Sequence, residues 1–568
     1  MNRAFTILQT VLTGVLFLAF SHEFTQSFHY AKTIIFLLLG TLSFFQLCFL
    51  RKVSVPTGPI SWAFLAILTA ATISLFSSHA TLNSLPHYMI FVSSFFILIS
   101  LCNQTEKSRN TLYVSIFIIA LIESIIAYLQ FASIKLPSPL TLSSSDNRII
   151  GTFGNSEFMA TFLAVAGFIG LHLLKTYTHH KKTLIAGLLI IAPALVLTMN
   201  KGSILFIAGW GLYHLTRRKL LVSAIILSSI LLSLFLFGSS VKGRLLLWIS
   251  SINIFKDHLI AGVGLRQIGH HYLESVASVL NSNSILGSVL EKHTANVLDA
   301  HNFILNWAAE AGVAGLISAS ALVICCLKLK SINKPFLHTA LLFLLFKSMY
   351  TVMHNSTTSL MLFLIVVSAL IPLKVYALPL RMKTAILASG TLFLIGCFMT
   401  FRVISSDYWY SKSMMAIAQA NIDTAIIYGH KSLETNPQNS DAHLACGHSY
   451  FLKKEKKNMS KHLDQSIKLF KSMNSLKISA HMYFYSGMHE KAEKLYSEIV
   501  EYYPHHLTSL SKLAQIYFLD RDYVQAHSYA SLVLETEPRV KNESDFGNRR
   551  TCAEIINKTG PLLYGERK

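Results

Sequence analysis

The sequence predicts an all-α protein: a polytopic helical membrane domain of about 12 to 13 spans, then a tail of short amphipathic helices. Three observations carry this. The 568 residues are 52% hydrophobic and 14% charged, with a mean hydropathy of +0.48. Apolar runs of spanning length recur through residues 1–402 with basic residues at alternate junctions. Beyond 402 the apolar runs cease, and prolines and alanines recur at matched spacing.

The runs lie near 4–20, 31–50, 60–77, 88–102, 111–131, 157–174, 183–199, 202–216, 219–238, 301–327, 336–353, 358–376 and 384–402. The first reads as a spanning helix and not a cleaved leader, because further runs follow at once. With the N-terminus inside, the inner junctions carry Arg3, Arg51, Lys52, Lys107, Arg109, Lys175, Lys181, Lys182, Arg217, Arg218, Lys219, Lys328, Lys330, Lys334, Lys374, Arg381 and Lys383. Every inner junction is served, as the positive-inside rule requires. The expected location is a bacterial inner membrane, multi-pass, with a cytoplasmic N-terminus. The polar loop of about 239–300 and the tail after 402 then face the periplasm.

Charge supports this division. Residues 403–568 hold 21 basic and 18 acidic side chains, leaving 28 and 10 in residues 1–402. The formal charge of +21 therefore describes a membrane domain. No basic face with interleaved aromatics suggests nucleic acid. The seven cysteines show no CxxC and no Cys/His ligand spacing, so neither a disulfide framework nor a metal site is expected.

In the tail, Pro437, Pro504 and Pro538 each follow an alanine by twelve residues: Ala425, Ala492 and Ala526. The last two prolines lie 34 apart and the first two 67 apart, which leaves room for a degenerate copy near 445–475. A small residue in one helix and a closing proline at this period resemble the tetratricopeptide repeat. The tail, 403–568, is thus expected to be an α-solenoid of tetratricopeptide-like repeats, a class that binds protein partners far more often than it catalyses.

Four polar segments interrupt the membrane domain, all on the expected outer side. They are Arg148-x-x-Gly151-Thr152-Phe153-Gly154-Asn155; Asn200-Lys201-Gly202; Arg244-x-x-x-Trp248 followed by Asp257-His258 and Gly262-Val263-Gly264; and His301-Asn302 leading to Glu310-x-Gly312-x-x-Gly315. Ionisable residues in such positions are costly in hydrocarbon and mark functional candidates. In order and kind these segments resemble the O-antigen ligase/polymerase family of envelope glycosyltransferases, over about residues 145–370. Two departures stand out: Lys201 replaces the usual Arg, a point charge without the bidentate fork, and no proline precedes Gly262-Val263-Gly264.

The resemblance implies transfer of a glycan from an undecaprenyl-diphosphate carrier to an acceptor hydroxyl, lipid A–core or protein, without metal or other cofactor. Membrane lipids surround the site, and a protein partner at the repeats is a further expectation. The leaving diphosphate calls for cations. Arg244 and Lys201 are the first candidates, with Arg148 and Arg266 behind them. His301 suits a base near neutral pH, and Asn302 suits binding of sugar or phosphate. Counted along a continuous helix, Glu310 falls half a turn out of phase with His301 and roughly 13 Å deeper. It therefore reads as a buried support, with Lys347 as a possible partner, while Gly312 and Gly315 read as packing points. Trp248 reads as an interfacial anchor, and His270, His271 and His293 as solvent-exposed.

Two alternatives stay open. One is a polymerase of repeat units, with the same motifs and chemistry. The other, from a different class, is a non-catalytic membrane scaffold whose repeats bind partners.

Overall fold

The structure, a computed structural model, describes residues 2–21, 23–26, 28–134, 136, 149–215, 238–280, 298–329, 333–351, 355–536 and 543–564. Residues 219–237 of the run expected over 219–238, and Arg148, Arg217, Arg218, His293, His354 and Pro538, lie outside the described residues.

Among the described residues eight helices are long and apolar enough to cross a membrane: Tyr30–Phe49, Pro59–Ser77, Thr81–Cys102, Glu106–Phe131, Ser156–Thr176, Thr178–Leu197, Phe303–Lys328 and Ile386–Ala418. Ala4–Leu18, Pro335–Ser348 and Thr357–Leu370 are shorter apolar helices, and Lys201–Leu215 is another of 15 residues. Large apolar side chains on these helices stay bare, with Trp62, Phe76, Leu189 and Leu392 all above two-thirds exposed. Water would penalise such a surface and lipid would not. The chain is therefore a multi-pass helical membrane protein.

Two short strands, not expected from the apolar runs, also occur. Strands β1 (Lys52–Pro56) and β2 (Leu373–Ala377) pair antiparallel, with Lys52 opposite Ala377 and Val55 opposite Lys374. The run expected over 358–376 ends as a helix at Leu370 and continues as β2. Val53, Val55, Val375 and Tyr376 favour extended backbone, and Pro372 and Pro379 bar a helix across the junction. The ribbon joins two junctions expected on the same, inner, side.

Compact packing divides the chain into two units that do not follow chain order. The first comprises Met1–Gly238, Phe255–Arg266 and Asp299–Tyr408. Its helix Pro59–Ser77 starts at the ribbon, where the Thr57 amide donates to Pro372 O, and runs about 23 Å to Ser74, whose hydroxyl donates to Glu310 O. The return helix Thr81–Cys102 starts with Ser84 donating to Leu265 O. It ends beside Asn103, whose side chain pairs with the Ser54 backbone. Ribbon and polar segments thus occupy opposite ends of the spans. Close approach depends on small residues, as membrane packing requires: a Cβ on Gly40 would lie 2.6 Å from that of Ser93.

The second unit comprises Ser239–Ile254, Gln267–Leu298 and Trp409–Lys568. Its tail helices come in pairs, with first helices starting at Ile422, Lys456, His489 and Tyr523. Those starts are 34, 33 and 34 residues apart. The fourth residue of each, Ala425, Met459, Ala492 and Ala526, is buried. The degenerate copy therefore occupies Lys456–Leu469 and Met473–Tyr485, later than the 445–475 expected.

The segment expected as a plain polar loop contains two helices, Gly238–Asp257 and Ile268–Leu280. Leu246, Leu247, Tyr272, Leu273 and Val276 share one core with Met473, Leu476, Tyr483, Leu495 and Ile499 of the tail. Trp248 packs against this core, which replaces the interfacial anchor expected for it.

Candidate functional site

The helix Phe303–Lys328 begins two residues later than the His301 start assumed in the phase argument. Asn302 is its cap, accepting from Leu305 N at 3.1 Å. The helix then breaks at Gly312, whose φ of 63° and ψ of −148° are not helical. The nine-residue helical count from His301 to Glu310 thus fails at its start, because His301 stands outside the helix with φ 47°.

The break is filled by the segment His258–Arg266. Val263 N donates to Ala309 O and Gly264 N to Glu310 O, each at 3.0 Å, and Val313 N donates to Leu259 O at 2.8 Å. Carbonyls and amides freed by the kink find partners here, as buried backbone must. The glycines are what permit it. A Cβ on Gly262 would sit 2.3 Å from the Glu310 carbonyl carbon, and one on Gly312 2.4 Å from Leu259 O. On Gly264 it would meet Ser78 at 2.4 Å, and on Gly315 the Trp307 carbonyl at 2.0 Å. Two sequence segments read separately are therefore one interlocked structure.

Glu310 is buried within it and accepts from Arg266 N at 3.1 Å and from the Asn306 side chain. Asn306 in turn accepts from Ala300 N at 3.0 Å. One carboxylate so fixes Arg266, and one amide fixes the turn before His301. Arg266 is held at φ 61°. Non-glycine residues in this region cost roughly 1–3 kcal/mol and persist where surroundings over-determine them, characteristically at functional sites.

Asp299 was not singled out from the sequence. Its carboxylate lies 3.8 Å from His301 Nδ1 and 3.7 Å from the Arg266 guanidinium, accepts from His301 N at 3.2 Å and meets Asn355 Nδ2 at 3.4 Å. The imidazole is 46% exposed and the carboxylate 17%. A histidine open to solvent is thus backed by a shielded acid and flanked by a cation. His29, at the start of Tyr30–Phe49, is held down to about pKa 4 by exclusion of water and, second, by the Arg266 charge.

Asn302 does not present a free amide. Besides capping its helix it donates to Met349 O at 2.9 Å, so the structure makes it a positioning residue, in place of the ligand-binding role expected. Met349 leads to a second cluster. Lys347, fully buried, pairs with Glu157 at 3.0 Å and meets Asn200 Oδ1 at 3.4 Å, while Thr351 donates to Glu157. The Lys347–Glu310 pairing considered from the sequence is not made; Glu157 takes that place. Asn200 also accepts from Ser203 N at 2.9 Å, opening the helix on which Lys201 is exposed. A Cβ on Gly202 would strike the Tyr350 hydroxyl at 2.2 Å.

The Gly151–Asn155 turn is held the same way. Glu123 accepts from Thr152 N at 3.1 Å and from its hydroxyl, and Gln130 accepts from Gly151 N at 3.0 Å. Glu123 and Glu157 were missed. Ionisable residues in or beside apolar runs are the signal that marks both. Beneath the clusters lies an apolar cavity of about 90 Å³, lined by Phe91, Phe303, Ser348, Ser359, Leu360 and Phe363 among others. Arg244 belongs to the second unit.

Fold and site together define a multi-pass membrane protein with buried polar segments gathered at one end of its spans. A family model described as O-antigen ligase matches residues 149–320, the stretch that contains the glycine turn, the interlock and His301. That match supports a glycan ligase or polymerase type of function, and with it a lipid-linked glycan as substrate. No curated protein matches the chain.

Proposed function

We propose that the protein is a glycan ligase. It moves an oligo- or polysaccharide from an undecaprenyl-diphosphate carrier to an acceptor hydroxyl, on lipid A–core or protein, at the periplasmic face of the inner membrane. The observation that carries this reading is the interlock, in which four glycines and a buried carboxylate fix Arg266 beside Asp299 and His301. A structure serving only as a scaffold has no need of that expense.

In this reading Asp299 faces His301 Nδ1, which leaves Nε2 to take the acceptor proton. The 3.8 Å separation is longer than a hydrogen bond, and such contacts tighten when substrate binds. The acceptor oxygen attacks the anomeric carbon, the bond from that carbon to the phosphate oxygen breaks, and the lipid diphosphate leaves with the electron pair. Arg266 and Lys201 stabilise its charge. Arg244 and Arg148 keep that candidate role on the sequence argument alone. The apolar cavity suits a hydrocarbon segment of the carrier. The paired helices of the tail, at their 33- to 34-residue period, support a tetratricopeptide-like solenoid.

The test is His301→Ala and Asp299→Asn in membranes supplied with lipid-linked glycan. Removal of a positioned general base costs about 10²- to 10⁴-fold. Transfer by His301→Ala within threefold of wild type, at equal membrane abundance, overturns the reading. The glycan profile of a deletion strain separates ligase from polymerase: unattached polymer marks lost ligation, single attached units lost polymerisation.

A further inference from the structure

The tail departs from its own repeat at one place. The residue twelve positions after each first-helix landmark is Pro437, Lys471, Pro504 and Pro538 in the four copies, and the landmark itself is Ala, Met459, Ala and Ala. Both departures fall in the second copy. The backbone there is unchanged: Phe470, before Lys471, has φ −153° and ψ 100°. Asn436 and Tyr503, before the prolines, have −144° and 97°, and −144° and 79°. This is the extended conformation that a following proline requires, so proline would fit at 471 and is absent for another reason.

That reason is visible in the second unit. Lys471 N, the group a proline lacks, donates to His270 Nδ1 at 3.0 Å. Its ammonium bonds Glu274 at 3.2 Å and Glu498 at 2.9 Å. Burial lowers the Lys471 pKa, but the two carboxylates outweigh it and the net shift is upward. His270, expected as solvent-exposed, is instead a half-buried acceptor. One turn on, Ser275 donates to Ser250 O at 2.9 Å, tying Ile268–Leu280 to the helix Gly238–Asp257 six residues from Arg244. Leu246 and Leu247 of that helix share a core with Met459 and Met473.

We propose that the second copy of the repeat is a brace for the loop, with Lys471 as its latch, and that the tail thereby holds the Arg244-bearing helix for glycan transfer. This rests on the ligase reading above. Lys471, His270 and Glu274 are positioning residues, and their loss is felt through Arg244.

The test uses the full chain in membrane vesicles, with a synthetic undecaprenyl-diphosphate-linked oligosaccharide as donor and release of the lipid diphosphate as readout. Lys471→Pro and His270→Leu remove the latch. Lys471→Arg and His270→Asn keep the amide or an acceptor. Lys453→Ala removes an exposed ion pair of the tail, to Asp423, as control. Limited proteolysis between residues 268 and 280 reports the latch independently of chemistry. The disrupting variants should be cut about tenfold faster and lose about ten- to hundredfold in kcat, with KM within threefold, as expected for misplaced transition-state groups. The conservative variants and the control should stay within threefold of wild type in both. Faster cutting with wild-type kcat overturns the brace, and unchanged cutting overturns the latch. A wild-type chain that releases no lipid diphosphate overturns the ligase reading and the brace with it, whereas loss in the variants alone supports both.

Discussion

Gly312→Ala tests the interlock at its tightest point. The native backbone there, φ 63° and ψ −148°, lies near a region almost closed to any residue with a Cβ, and occupying it costs roughly 1–3 kcal/mol. The added methyl would also stand 2.4 Å from Leu259 O and 2.7 Å from Ile260 O, where ordinary contact begins at 3.4 Å. If the segment stays, strain and the weakened Val313 N–Leu259 O bond together remove about 2–4 kcal/mol, a large share of a stability of roughly 5–15 kcal/mol. If it moves, its carbonyl withdraws by about 1 Å, and a displacement of that size near reacting groups costs on the order of 10²-fold in rate. Either route lowers transfer, and the two are told apart by measurement. Thermal unfolding in detergent should fall if strain is absorbed, and transfer per folded molecule should fall if the segment shifts. Gly167→Ala, where nothing lies within 4 Å of the new Cβ, should be neutral or stabilising by up to about 1 kcal/mol. A Gly312→Ala protein with wild-type unfolding and wild-type transfer would refute the interlock as the organiser of the site.

Two further perturbations probe the charges. Glu157→Gln leaves the fully buried Lys347 ammonium without its anion, and breaking such a pair costs about 3–5 kcal/mol. Replacing both partners, Glu157→Gln with Lys347→Met, should recover most of the loss in membrane abundance; a double variant as poor as the single one would show that the pair is not the cause. In the tail, burial first, and then His443, His430 and Lys461, pull the His462 pKa down to about 4, with His443 Nδ1 3.1 Å from His462 Nδ1. The folded state therefore favours neutral His462, while the unfolded chain takes up its proton near 6.5. Its stabilisation is complete above about pH 6.5 and declines toward pH 4. Melting of the tail should drop between pH 7.5 and pH 5, and less so in His462→Gln; identical pH dependence in the two proteins would contradict the assignment.

Periodicity exposed what repeats along the chain, and it failed where partners come from afar. The apolar runs and the paired tail helices were legible because each is written in local spacing. Asn302 reads in the sequence as a ligand for sugar or phosphate, although a short amide before an apolar run is also a cap signal, and its second bond, to Met349 O, depends on a residue 47 positions away. Glu310 was legible as buried support, though not through helical phase, which presumes an unbroken helix, whereas this one begins after His301 and is interrupted at Gly312. Glu123, Glu157 and Lys347 were visible as ionisable groups beside apolar residues, while their partners were not, because Lys347 and Glu157 are 190 residues apart. The glycines of the two interlocked segments read as two weak motifs because spacing cannot reveal that each leaves room for the other's backbone.

The tail carries the sharper lesson. The 67-residue interval between Pro437 and Pro504 marks its second copy as degenerate, one without the matched alanine and proline, and degeneracy in a repeat is ordinarily relaxed constraint. Here the backbone has the pre-proline conformation, so the second copy shares the geometry of the others at this point while differing in sequence. A position that retains the shape for proline but supplies an N–H and an ammonium, each with a partner on the loop, is under a different constraint and not a weaker one. Mismatches to a repeat that cluster in one copy and bond to the same outside segment thus locate where a run of paired helices is joined to something else. In this chain that is the loop helix Ile268–Leu280, within the stretch that matches the O-antigen ligase model.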